Sequence, residues 1–80
     1  MKYTVLIPAY KPDDKLIVLI DNLLAHNLDI VVVNDGSAPE YETVFDEVRN
    51  RNVPLLVHAV NRGKGAALKT GIRHIMKDPE

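Results

Sequence analysis

Apolar residues along the chain alternate between short unbroken runs and spaced patterns, and the pair recurs three times. Thr4-Val5-Leu6-Ile7 is a β-branched and aliphatic run ended by Pro8, and it predicts a strand. From Asp13 to about Ala25, Leu16, Leu19, Ile20, Leu23 and Leu24 are spaced by three and four, the period of one helix face. Asp13 and Asp14 lie in or near the first turn, where carboxylates suit the positive end of the helix dipole. Ile30-Val31-Val32-Val33 is apolar without alternation, as expected of a parallel strand covered on both faces. Ser37-Ala38-Pro39-Glu40 has the form of a capping box, with Ser37 as N-cap and Glu40 reaching back to its amide. Tyr41, Val44, Phe45 and Val48 follow at i, i+3, i+4 and i+7. A third run, Leu55 to Val60, opens at Pro54 and leads through Asn61-Arg62-Gly63-Lys64-Gly65 to a third helix. That helix is predicted from about Ala66 to Met76, with Leu68, Ile72, Ile75 and Met76 on one face.

Three strand–helix units in succession predict an α/β fold, a parallel sheet flanked by helices and built with right-handed crossovers. No linker interrupts them, so residues 1–80 read as one unit, and the units share architecture without repeating sequence. A chain this short buries only about 60% of its unfolded surface, which makes any such fold marginal by itself. The formal net charge of −1 argues against a general nucleic-acid binder. The absence of cysteine excludes disulfides and thiolate metal sites. Met1-Lys2-Tyr3 runs straight into the first strand with no leader pattern. Leu16 to Leu24 is broken by Asp21 and Asn22 and falls short of the about 20 apolar residues of a membrane span, so a soluble chain is expected.

In an open parallel sheet, ligands gather outside the carboxyl ends of the strands. That rule selects Pro8-Ala9-Tyr10-Lys11, Asn34-Asp35-Gly36-Ser37 and Asn61-Arg62-Gly63-Lys64-Gly65. The third loop offers glycines, two cations and a helix start, which suit a phosphate or diphosphate; a plain turn with solvated Arg62 and Lys64 is the other reading. Its spacing fits neither a Walker A loop nor a dinucleotide fingerprint. Asp35 can accept hydrogen bonds from a base or ribose, or it can cap its own turn. Tyr10 can stack on a base or pack against the first helix. His26, His58 and His74 share no metal-ligand spacing, and His58 reads as a packed or edge residue. Lys69, Arg73 and Lys77 form a basic stripe that is a solvated face or a contact for anionic lipid.

Together the loops resemble glycosyltransferase family 2. Val5 to Tyr10 is similar to the family's V-I-I-P-A-Y, and Val31 to Ser37 to its V-V-D-D-G-S. Asn61 to Ile72 is similar to the N-x-G-K-G-A-A-L-R-T-G-I of its dolichol-phosphate mannosyltransferase-like branch. The resemblance covers the whole chain, with the motifs in order. It implies the nucleotide-binding half of a GT-A domain in an inverting enzyme. That enzyme would move a sugar from a UDP- or GDP-sugar to a polysaccharide, lipid or polyprenyl phosphate acceptor, in the cytoplasm or at the inner face of a membrane. Pro8, Ala9 and Tyr10 would line the base pocket, Asp35 would bond the base or ribose with Gly36 and Ser37 beside it, and Arg62, Gly63, Lys64 and Gly65 would lie against the nucleotide.

The chain departs from the family pattern at Lys11-Pro12, where Asn-Glu is common, and at Asn34, which replaces the first Asp of the pair. It contains no Asp-x-Asp, the family's Mg or Mn ligand, and no catalytic base of the family pattern. The isolated chain is therefore expected to be inactive, with the metal belonging to the complete enzyme. A non-catalytic nucleotide-binding or regulatory remnant is the alternative. A receiver-like module is disfavoured, because Asp35 stands without the acidic cluster and later Lys that it needs. The strand order implied by the resemblance leaves Thr4–Ile7 as an open edge in a chain ending at Glu80, through which two copies would associate.

Overall fold

A computed structural model describes residues 3–77; Met1, Lys2 and residues 78–80 lie outside the described residues. Strand β1 (Thr4–Ala9), helix α1 (Asp14–Ala25), strand β2 (Asp29–Asp35), helix α2 (Glu42–Asn50), strand β3 (Leu55–His58) and helix α3 (Lys64–Lys77) follow in the expected alternation. The strands are parallel in the order β1-β2-β3, with Val5 opposite Ile30 and Asp35 opposite His58. The central position of β2 matches its composition, since every residue from Ile30 to Asp35 is buried. Pro8 does not end β1 but pairs within it, opposite Val33. A proline lacks a ladder donor and is tolerated on an edge strand, where β1 lies.

Helices α1 and α2 pack together on one face of the sheet. Leu16 and Ile20 of α1, Phe45 and Val48 of α2, and Ile30 and Val32 of β2 form the main core with Ala9 and Val53. Asp13 caps α1 by accepting from the Lys15 amide at 2.9 Å. Asn27 and Asn52, just past the ends of α1 and α2, both have φ of 59°, a left-handed conformation that Asn tolerates at a helix end. Arg51 joins the two helices through Asp21 at 2.6 Å and Glu47 at 2.9 Å, an exposed pairing that adds little stability.

Three local expectations are corrected. Ser37 does not cap α2. Its hydroxyl accepts from the Lys11 amide instead, and a 3-10 turn, Pro39–Tyr41, leads into a helix that starts at Glu42. Strand β3 stops at His58, two residues before the apolar run ends, and Val60 is exposed. Helix α3 buries Ala67 and Gly71, while Ile72 and Met76 are exposed. Small residues win that face because α3 lies close against β1: a Cβ on Gly71 would collide with the Leu6 side chain.

Candidate functional site

The three loops selected by the sequence meet at the carboxyl ends of the strands. The first and second are joined where the Lys11 amide donates to Ser37 Oγ at 3.0 Å, with Lys11 at φ 51°. Within the second loop, the Ser37 amide donates to the buried Asn34 at 3.0 Å, so the residue replacing the family's first Asp shapes the turn. The second and third loops touch at Gly36. It has φ of 74°, and a Cβ there would collide with the backbone of Val60 and Asn61. No other residue type accommodates both that conformation and that approach without displacing the backbone.

Asp35 is the hub. It is only 3% exposed, and both its oxygens are taken by protein donors. Oδ1 accepts from His58 Nδ1 at 2.7 Å and the Arg62 amide at 2.9 Å. Oδ2 accepts from the Gly63 amide at 3.0 Å and Asn61 Nδ2 at 3.1 Å, and the same Asn61 amide also donates to the Asp35 carbonyl at 3.0 Å. A carboxylate offers about four lone-pair positions, and here each has a donor. The Arg62 amide, followed by His58 and Gly63, holds the Asp35 carboxyl below the usual carboxylate range against the opposing effect of burial. His58 Nε2 lies 2.7 Å from Thr70 Oγ1 on α3. With Asp35 ionised, Nδ1–H donates to the carboxylate, and in the neutral ring Nε2 accepts from the Thr70 hydroxyl.

An open cleft of about 440 Å³ lies over this hub, lined by Pro8, Ala9, Tyr10, Asp35, Asn61, Gly63 and Lys64. Six of the ten residues selected by resemblance thus share one cleft. Gly36 and Ser37 brace the loops behind it. Arg62 and Gly65 line an adjoining cleft of about 460 Å³ with Ala66, Lys69, Thr70 and Arg73. Asn61 opens the third loop selected by the strand-end rule but has no role in the resemblance, and His58 and Thr70 belong to neither. The signal for His58 was its place in the strand, since it ends β3 as Asp35 ends β2, and the two are register partners. A further cleft, of about 330 Å³, sits at the amino ends of the strands around Thr4, Asp29 and Pro54, the end a parallel sheet does not ordinarily use for ligands.

The cleft pairs a half-exposed Tyr10 ring with cationic groups. Lys11 Nζ stands 5.2 Å from the centre of that ring, within cation–π range. The first intrahelical bond of α3 runs from the Ala67 amide to the Gly63 carbonyl at 3.0 Å, so the Lys64, Gly65 and Ala66 amides precede it at the positive end of the helix. A planar ring and an attached anion match these surfaces. Among the described residues, no group of three His, Cys, Asp or Glu side chains is placed to hold a metal ion. No described helix is long and apolar enough to cross a membrane.

The sequence model of Glycosyl transferase family 2 matches residues 4–78. The chain is 32% identical over 85 aligned residues to a dolichyl-phosphate beta-glucosyltransferase of Trichomonas vaginalis, covering 90% of this chain and 26% of that protein. It is 35% identical over 75 residues to an uncharacterized glycosyltransferase of Rickettsia prowazekii, covering 90% of this chain and 23% of the relative. The chain therefore spans about a quarter of the length of these relatives. No solved structure matches it.

Proposed function

Because this chain belongs to glycosyltransferase family 2, we propose that it carries the donor-nucleotide site of a sugar transferase, as the donor-side part of a larger domain. The observation that carries this reading is the convergence of three separate loops on one cleft that joins an exposed aromatic ring to a cationic helix start. In this reading the base of a UDP- or GDP-sugar lies against Pro8, Ala9 and Tyr10. Its diphosphate meets Lys64, the adjoining Arg62, and the amides that open α3, where dipole and free N–H groups favour negative charge. Asp35 forms the floor. Its oxygens already serve protein donors, so its main contribution is to hold the Arg62–Gly65 loop in shape, and a base or ribose group would share an oxygen already engaged. Gly36 and Ser37 contribute by fixing the neighbouring loops.

Transfer is proposed to invert the anomeric centre and to use a lipid or polyprenyl phosphate, or a polysaccharide, as acceptor, at the cytoplasmic face of a membrane. The dolichyl-phosphate relative supports the first acceptor class. Family 2 enzymes generally use a divalent metal. The described residues do not fit one, so any Mg or Mn would be held by residues other than these.

The test is titration of the isotope-labelled chain with UDP and GDP. Amide signals of Ala9–Tyr10, Asp35–Ser37 and Arg62–Gly65 should move together, with affinity on the order of millimolar. Movement confined to the Lys69–Lys77 stripe would replace this reading with nonspecific anion binding.

A further inference from the structure

The polar chain beneath the cleft does not stop at Asp35. It continues through His58, 8% exposed, to Thr70 in the second turn of α3. Asp35 also holds the amides of Arg62 and Gly63, immediately before α3 begins. The helix is thus tied to one carboxylate twice, through the backbone that enters it and through a side chain within it. Together with the packing of Ala67 and Gly71 on the sheet, the two ties bear on the position of its first turn and on its rotation about its own axis. The amides of Lys64, Gly65 and Ala66 have no acceptor among the described residues, and their direction follows the orientation of the helix.

We propose that His58 and Thr70 are positioning residues that aim the first-turn amides of α3 at the diphosphate of the donor. The proposal rests on the nucleotide reading above. An apolar pair at these two places would fill the space equally well, but it would leave Asp35 short of a donor and the rotation of α3 set by its packing on the sheet alone. Asn61 completes the arrangement on the other oxygen, and no described cation lies among the hydrogen-bond partners of the imidazole.

The consequence is selective. Loss of the Thr70 hydroxyl should weaken contacts to phosphate and leave contacts to the base untouched, because Pro8, Ala9 and Tyr10 belong to a different strand end. Titrating the chain with UDP and GDP, and separately with uridine and guanosine, reads the two contributions apart. Thr70→Val should bind the diphosphates roughly three- to tenfold more weakly, the effect of misdirecting one or two hydrogen bonds, with nucleoside binding unchanged. Thr70→Ser should restore the wild-type values. His58→Asn, which keeps a donor towards Asp35 but cannot reach Thr70, should repeat the Thr70→Val pattern. Equal losses for nucleoside and diphosphate, or a folded Thr70→Val variant with wild-type diphosphate affinity, would overturn the proposal. If the wild-type chain binds no nucleotide, the donor reading fails on its own. The Lys64–Ala66 amide signals of ligand-free Thr70→Val then decide the positioning role, and signals identical to wild type would end it.

Discussion

At the scale of single residues, the four donors around Asp35 make it a titrating element of the fold. Its folded pKa lies below the ordinary value near 4. A carboxyl depressed in this way contributes stability that is fully present above its unfolded pKa and is lost as pH falls through the folded one. The wild-type chain should therefore lose thermal stability progressively below about pH 4, in addition to any loss common to its exposed carboxylates. In Asp35→Asn the new NH2 must face donors on one side, either Asn61 and Gly63 or His58 and Arg62. Its Tm should fall by several degrees at pH 7, about the shift expected for one disrupted network in a domain of this size. Melts of both proteins between pH 3 and pH 7 check this. The gap should narrow towards acid, and a gap independent of pH would mean that the Asp35 charge contributes nothing. Asp35 as a strand-end carboxylate was legible in the sequence, but its saturation was not. Three of its partners follow β3, 26 to 28 residues away, and their direction depends on how two strands align.

Among the elements, β2 was the most legible, because an unbroken apolar run has one natural place in a parallel sheet. Helix α3 was the least. Counting large apolar side chains picked Ile72 and Met76, but the close approach to β1 favours Ala67 and Gly71, which carry little hydrophobic signal. The capping pattern at Ser37 misled for a related reason, since the hydroxyl had a competing donor in a loop 26 residues away. Gly36 couples these elements most tightly, and substitution there tests the coupling. Gly36→Ala must combine a positive φ with a Cβ against the backbone of Val60 and Asn61, and it should cost about 2 kcal/mol or more. Denaturant titration gives the number. The Arg62 and Gly63 amide signals should shift as the third loop is pushed away, and a variant as stable as wild type would show that the loops can part freely.

For the whole molecule, the parallel sheet followed from the alternation of elements, the strand order from the family resemblance, and the meeting of the three loops from the strand-end rule. The Asp35–His58–Thr70 chain could not, because it depends on the register between β2 and β3 and on how α3 is rotated against them. The same architecture leaves β1 hydrogen-bonded to a strand on one side only among the described residues. Val5 to Pro8 are half-buried, and Pro8, which offers no donor on that side, is the edge's one guard within β1, which carries no charge. Two copies of the chain joined there with antiparallel first strands would make a six-stranded sheet around a two-fold axis. Sedimentation over a concentration series should reveal this dimer, and Thr4→Pro, which removes an amide facing the open edge and leaves the β1–β2 ladder intact, should weaken it; a wild-type chain that stays monomeric at hundreds of micromolar would rule it out. The hub has a further consequence for the order of events in folding. Asp35 ends the second strand, yet most of its donors belong to residues that follow the third. A chain that has docked only its first two strand–helix units leaves that carboxylate on an open strand in water, because the third strand and loop that cover it are those that supply its donors. Burial of the charge and its pairing therefore arrive together, with no unpaired buried carboxylate on the way, and the cleft comes into being only when the third unit docks.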